Sequence, residues 1–346
     1  MPIPVGHGSG LGTLAAPAVS SDLAAGAAPM TAYAARRLLL LVPVLLGVTL
    51  VVFGVMSLVP GDPALAILGP YATPERLADL RAELALDRPW PLRYLHWLGG
   101  LARGDLGHSV SLELPVLDAV LARLGPTLLL AGAALVVGTA LGLAAGLIAA
   151  LRHNRLTDRL VTLAVLIGIS MPSFWLGLLL ILLFAVWLGW LPVSGMTTAW
   201  LPGTGAGDVL RHLLLPTLSL ALVAAGVIGR LARSAAIDVL GAEHIRLCRA
   251  RGITEPRILL LHGLKGVLAR TTPVIGLQAG FLIGGAVYIE TIFQWPGLGR
   301  LLVEAIGARD LLLVQGGVLV LAAAYVVVNL AADLIQHLLD RRTRAA

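Results

Sequence analysis

The sequence predicts an all-α membrane protein with six transmembrane helices and both chain ends in the cytoplasm. Three observations lead there. The chain of 346 residues is 58% hydrophobic and 13% charged, whereas soluble domains sit near roughly 45–50% apolar and about 25% charged. Six segments are apolar over about the 20 residues that a helix needs to cross a bilayer. Basic residues gather at the ends of those segments, on alternate connections.

The six spans lie at 38–59, 125–150, 160–189, 212–234, 271–289 and 312–335. The third is long enough to tilt, or to break near Met171 and Pro172. A proline is tolerated in such a helix where neighbours satisfy the freed carbonyl. Gly138, Gly142 and Gly146 recur at helix-packing spacing in the second span, which predicts close approach of another helix. Residues 1–30, rich in Gly, Ala, Pro and Ser, read as a disordered tail, and Met30 before "TAYAARRLLLLVPVLL" looks like a natural chain start. The rest, 31–346, reads as one membrane domain.

Orientation follows from the arginines. Arg36 and Arg37 precede the first span; Arg152, Arg155 and Arg159 fill the link between spans two and three. Arg230, Arg233, Arg246, Arg249, Arg251, Arg257, Lys265 and Arg270 crowd the link between four and five, and Arg341, Arg342 and Arg344 close the chain. All four groups share one side if both termini do, and the cytoplasmic side carries such an excess. The opposite side receives 60–124, 190–211 and 290–311. Within the first of these, Thr73 is an expected N-cap with Pro74 at the first helical position, and Leu77, Leu80 and Leu84 form an apolar stripe.

Several chemistries are excluded. A net charge of +6 does not signal nucleic acid, because the basic residues cap apolar segments instead of covering a water-facing surface. A single cysteine, Cys248, leaves no disulfide framework or cysteine-based zinc site. The only lysine, Lys265, lacks the glycine spacing of a phosphate-binding loop. No His-Glu-x-x-His run exists, and His153, His212, His244, His262 and His337 sit singly near span ends. No catalytic residue, metal ligand or bound cofactor is expected. Ser170, Gln278 and Asn329 are the candidate pathway groups; Gln278 and Asn329 equally suit interhelical hydrogen bonds, and Asp333 lies near the cytoplasmic end.

Residues 237–270 form the most polar stretch. A helix over 238–250 is expected to end at Gly252 in a left-handed C′ position. Thr254, Glu255 and Pro256 then start a second helix, with acid near its positive end. Two short helices meeting at a glycine make a knob that suits docking of a soluble partner, although a solvated inner-face loop explains the charge alone equally well.

The layout closely resembles the membrane-spanning subunit of a bacterial ABC importer. Within that class it is similar to the peptide permease family, with nickel permeases as relatives. The resemblance runs from Arg36 to about Arg342. It rests on "RRLLLLVPVLLGVTLVVFGVMSLVPGDPA", "LDRPWPLRYLHWLGGLARGDLGHSV", "SMPSFWLGLLLILLF", "RARGITEPRILLLHGL" and "ETIFQWPGLGRLL", in the expected order.

The resemblance implies a type I ABC importer permease fold and translocation of di- or oligopeptides across the bacterial cytoplasmic membrane. A nickel chelate, glutathione or another small solute is the alternative cargo, and an ion-coupled secondary carrier the alternative class. It also implies ATP used by two separate ABC ATPase subunits, a second homologous permease as a heterodimer partner, and an extracytoplasmic substrate-binding protein. The coupling role falls on Glu243, Arg246, Arg249, Ala250, Arg251, Gly252, Ile253, Glu255 and Leu261. Phe293, Trp295 and Arg300 are implied contacts for the binding protein. Two departures stand out. Arg246-Leu247-Cys248 occupies the place of Glu-Ala-Ala in the broader importer motif. The proline after the second coupling helix is Arg270 here, with Pro273 downstream, so the junction with span five is expected to shift by about a turn.

Overall fold

The computed structural model of the chain describes residues 30–58, 63–69, 72–83, 86–198 and 205–339. The tail expected over 1–30 lies outside them apart from Met30, as do Leu84, Arg341, Arg342 and Arg344. The first apolar segment forms α1 (Met30–Leu58). It is followed by α2 (Pro63–Leu68), α3 (Pro74–Glu83) and α4 (Trp90–Leu101). The Arg76 amide donates to Thr73 Oγ1 at 3.3 Å, the N-cap read from the sequence. Trp90, Tyr94 and Trp97 share one face of α4 by their spacing. Their rings meet Phe53 of α1 at 5.6, 5.4 and 6.0 Å between centroids. Two short antiparallel strands follow, β1 (His108–Ser109) and β2 (Leu114–Pro115), with His108 opposite Pro115.

The second span is α5 (Val116–Leu151), which begins well before residue 125 because its first turns pack on Leu106, Leu298, Leu301 and Leu313. The third apolar segment is not one straight span. It divides into α6 (Leu156–Ser170) and α7 (Ser173–Leu180), and α7 continues as a π-helical stretch, Ile181–Trp187. The two halves are bent by 105°. Pro172 supplies the cause: it offers no N–H, and it drives Met171 out of the helical region to ψ 129°. With the bent pair taken as one span, the described residues hold six candidate spans.

The fourth span, α8 (Ala206–Gly241), lies at the centre. A Cβ placed on Gly138, Gly142 or Gly146 would fall 2.8, 2.7 or 2.6 Å from the carbonyl oxygens of Ala221, Ala225 and Gly229. The glycine ladder therefore lets the α5 backbone lie directly on α8, as its spacing predicts. Of the apolar window of α8, 72% is buried, against 11% for that of α1, so α8 is core and α1 is periphery. Leu130 and Ala134 of α5 and Leu220, Ala224 and Ile228 of α8 share one buried cluster with the fifth span.

The polar link folds as α9 (Glu243–Ala250), α10 (Glu255–Ile258), a π-helical stretch Leu259–Gly263 and α11 (Leu264–Ile292). A continuous helix over 238–250 does not form: Ala242, with ψ 151°, breaks the chain between α8 and α9. The expected displaced junction near Arg270 is also absent. Helix runs unbroken from Glu255 to Ile292 with Pro273 inside it, and the irregular register is taken up by the wider π turns earlier. Arg270 instead pairs back to Asp238 of α8, Nη1 to Oδ2, at 3.0 Å.

Two more helices end the described residues, α12 (Leu298–Gly307) and α13 (Leu311–Leu339). Asp310 joins α13 to the strand pair. Its Oδ1 accepts from the Leu313 amide at 3.1 Å, and its Oδ2 from the Ser109 and Ser111 hydroxyls at 2.7 and 2.8 Å.

Candidate functional site

The hairpin between α8 and α11 is built around one torsion angle. Gly252 has φ +75°, and a Cβ there would meet nothing within 4 Å. Glycine is needed for the turn, not for space. The Ile253 amide donates to the Cys248 carbonyl at 3.2 Å and the Gly252 amide to that of Arg249 at 2.9 Å. These are the paired bonds of a Schellman motif, which close the end of α9. Thr254 takes the extended N-cap backbone ahead of α10 but makes no capping bond with its side chain.

Arg249 ties the knob together. Its Nε donates to Glu255 Oε1 at 2.6 Å and its Nη2 to Oε2 at 3.3 Å, while Nη1 donates to the Leu240 carbonyl at 3.2 Å. The hydrogen bond to Glu255 raises the Arg249 pKa above its ordinary value. Ile245 and Ile258 are fully buried and seat the two helices on the bundle. Glu243, Arg246, Ala250, Arg251 and Leu261 are exposed on the far side, with Ile253 half-buried. Leu247 and Leu260 join Leu261 there, each more than half exposed. Together they form an exposed apolar patch inside a charged rim, the kind of patch that another surface can cover. The sequence reading missed Leu247 and Leu260 because it weighted charge over apolar side chains.

Beside the hairpin, Asp158 of α6 holds Arg233 of α8. The pair is bidentate, Nε to Oδ1 at 2.7 Å and Nη2 to Oδ2 at 2.8 Å. The Asn154 amide adds a third bond to Oδ2 at 3.0 Å. Arg233, read from sequence only as an orientation marker, is thus committed to a nearly buried carboxylate.

At the end of α11 away from the hairpin, the expected contact surface must be corrected. Phe293 and Trp295 are 1% and 0% exposed, so these rings are core and present no surface to a second protein. Trp295 Nε1 donates to the Pro126 carbonyl at 3.0 Å, and the Gly195 amide to that of Phe293 at 2.8 Å. The loop closes inward because Glu290, fully buried, draws it there. Thr127 Oγ1 donates to Glu290 Oε1 at 2.6 Å, and the Arg300 amide to Oε2 at 3.0 Å. A Cβ on Gly297 would strike the Glu290 carboxylate, and one on Gly299 would fall 2.9 Å from Oε2. Arg300 alone of the three expected contacts reaches the surface, with its Nε on Glu304 at 2.7 Å and Nη1 on the Gln294 carbonyl at 2.8 Å.

Of the candidate pathway groups, Ser170 is exposed at the end of α6, at the bend. Asn329 donates to the Tyr325 carbonyl of its own helix at 2.9 Å and packs on Gly280. Gly276 and Gly280 turn one face of α11 to α13. Gln278 lies about 200° around the helix from each and so points away from Asn329. The three groups do not converge. Gln278 instead flanks a stripe of exposed residues on α11, where Leu277, Phe281 and Tyr288 are each more than half exposed and Gly284 has open space before it.

The sequence matches known families over most of its length. The family described as binding-protein-dependent transport system inner membrane component matches residues 142–345, and its N-terminal counterpart matches 30–131. A dipeptide transport system permease protein of Alkalihalophilus pseudofirmus is 38% identical over 332 residues, 91% of this chain and 100% of that one. A di/tripeptide transport system permease protein of Pseudomonas aeruginosa is 40% identical over 91% of this chain and 99% of that one. A glutathione transport system permease protein of Escherichia coli is 39% identical, covering 88% and 96%. Among solved structures, the inward-facing methionine ABC transporter MetNI is similar in fold, with TM-score 0.54, 18% identity, and coverage of 64% and 97%.

Proposed function

This chain belongs to the binding-protein-dependent transport system inner membrane components, and from that membership we propose that it forms half of a peptide pathway driven by separate ATPases. The family fixes the coarse role: a multi-pass permease subunit of an ABC importer in the cytoplasmic membrane. The relatives that transport dipeptides favour peptide cargo, and the glutathione permease relative keeps that tripeptide as the specific competitor.

The observation that carries the coupling reading is the Schellman-closed hairpin with its exposed leucines. α9 and α10 present Arg246, Arg251, Leu247 and Leu261 outward while Ile245 and Ile258 anchor them. An ATPase cleft lined by apolar and acidic groups would receive such a knob. Both chain ends then lie in the cytoplasm with it, in keeping with the arginines at the span ends.

The exposed stripe of α11 supports a partner permease. This helix packs on α5, α8 and α13, yet Leu277, Phe281 and Tyr288 remain uncovered. A second, homologous permease facing this stripe would enclose a pathway with Gln278 on its edge. The substrate-binding protein would dock at the outer rim, with Arg300 as the surviving contact.

Reconstitution tests the whole reading. Proteoliposomes containing this chain, its partner permease and the two ATPases should take up a labelled dipeptide only with the binding protein outside and ATP inside. Uptake by this chain alone, driven by an ion gradient and indifferent to ATP, would overturn it in favour of a secondary carrier.

A further inference from the structure

α4 carries two leucines that the described residues leave uncovered. Leu92 is 56% exposed and Leu95 60% exposed, and they stand about 60° apart around the helix. They turn away from the aromatic face, since Leu92 lies about 160° from Tyr94. Arg93 and His96 take a third side, where they line a cavity with Arg76, Asp79 and Leu80 of α3. One helix therefore shows a ring face to α1, a polar face to that cavity and an apolar face to its surroundings.

What surrounds the apolar face follows from its depth. Leu39–Leu58 of α1 is an uncharged candidate span of 20 residues, about 30 Å long at 1.5 Å per residue, the thickness of the hydrocarbon core. α4 is fastened to the second half of that span. Trp90 Nε1 donates to Ser57 Oγ at 3.0 Å, and the Tyr94 hydroxyl lies 3.0 Å from Thr49 Oγ1. Between these two bonds, Phe53 gathers the rings of Trp90, Tyr94 and Trp97. Phe53 comes five residues before Leu58, about 7–8 Å inside the end of the span. Helices that lie along a bilayer surface sink their apolar face to a similar depth, about 5–10 Å.

The adjoining surface of α1 is uncovered too. Leu46 and Leu50, beside Thr49 and Phe53, are exposed, and α1 meets the bundle chiefly through α13. The leucines of α4 continue this lipid-facing surface. Tryptophans mark the same level elsewhere. Trp187 and Trp190 are 72% and 68% exposed where the third span ends, which is the bilayer face where the first span ends, because successive spans cross in alternate directions. Exposed tryptophan collects at the membrane–water boundary, and Trp90 beside Ser57 stands at the equivalent end of α1.

We propose that α4 is an interfacial helix whose Leu92 and Leu95 lie among the acyl chains of the leaflet at which α1 ends. The connection between the first two spans is thereby tied to the bilayer, with Arg93 and His96 kept on the cavity side. The occupant of the leucine face is phospholipid, not a second protein.

The test uses the complete complex in phospholipid nanodiscs, in a Cys248→Ala background, with a nitroxide label attached at Leu92→Cys or Leu95→Cys. Both side chains are exposed, so the label displaces no packed neighbour. Collision with dissolved oxygen, which concentrates in lipid, should exceed collision with water-soluble chromium oxalate several-fold at both positions. A label at Leu50→Cys should behave alike, and one at Glu75→Cys, exposed on α3, should show the reverse preference. Adding the substrate-binding protein should change neither ratio at Leu92 or Leu95. A chromium oxalate preference matching that of Glu75→Cys would overturn the proposal by placing the face in water. Low collision with both reagents, with or without the binding protein, would overturn it in favour of a protein cover.

Discussion

The Thr127 hydroxyl donates to the Glu290 carboxylate across 2.6 Å, and both side chains are buried. One bond therefore links α5 to the last turn of α11, and the same threonine oxygen accepts from the Leu298 amide at 2.8 Å. Glu290→Ala would strand the Thr127 hydroxyl and the Arg300 amide, at about 1–3 kcal/mol for each unsatisfied group. Glu290→Gln retains one acceptor oxygen and should cost less. Melting temperatures in detergent should fall in the order Ala below Gln below wild type. Equal stability of Glu290→Ala and wild type would show that the loop stands without its carboxylate.

The pair of Asp158 and Arg233 gives a second test. Arg233→Gln leaves a nearly buried carboxylate without its cation, a change that typically costs about 3–5 kcal/mol for buried pairs. Adding Asp158→Asn should recover part of the loss. A double-mutant cycle on folded yield and thermal stability should give a coupling energy on the order of 1 kcal/mol or more. Strict additivity would mean that the two side chains act independently.

At Gly252 the torsion, not the volume, is restricted. A non-glycine residue held at this φ costs about 1–2 kcal/mol, and asparagine tolerates the left-handed region better than other side chains. Gly252→Asn should keep the ATPases bound during purification, and Gly252→Val should lose them while the bundle stays folded. Leu261→Asp should also release the ATPases, because it places charge on the exposed apolar patch. Full ATPase recovery with both Gly252→Val and Leu261→Asp would remove the hairpin from the coupling role.

Close approach of α5 to α8 predicts a sharp positional contrast. Gly142→Leu forces atoms onto the Ala225 carbonyl and the Ile228 side chain, which already lie within 3 Å of where a Cβ would stand. It should abolish folded protein on size-exclusion chromatography. Gly132→Leu on the same helix has open space before it and should be neutral or slightly stabilising, since glycine costs a helix about 1 kcal/mol. Equal tolerance at the two sites would contradict the packing described.

The exposed stripe of α11 predicts a neighbour. In a Cys248→Ala background, cysteine at Phe281 should crosslink to the partner permease in the assembled complex. Cysteine at Leu39, exposed on peripheral α1, should not. Crosslinking from Leu39 but not Phe281 would turn the interface around.

The six spans were legible because apolar length is a property of contiguous residues, and the glycine ladder because its period matches a helix. Gly252 was legible for the same local reason: a glycine between two short helical patterns reports its own torsion. The ends of α5 and α8 were not, since those turns are held by packing on distant segments and interrupt the apolar run with charge, Asp118 and Arg123 in α5 and Asp208, Arg211 and Asp238 in α8. Glu290 sits one residue past the apolar run that marked the fifth span, and its partner Thr127 is 163 positions away. Phe293 and Trp295 read as rim residues because they lie in a connecting loop. Nothing local announces that a carboxylate beneath them folds the loop inward.

The helix that begins at Glu255 and ends at Ile292 contains 38 residues, or about 57 Å at 1.5 Å per residue. Its first end is the α9–α10 hairpin and its last turn carries Glu290, with no loop between them. A piston of this kind has no slack to absorb a push except the widened turns at Leu259–Gly263. If the hairpin is the ATPase-coupling element proposed above, its movement would pass along this helix to the loop that Glu290 holds, and stiffening those five residues would change how much of it arrives.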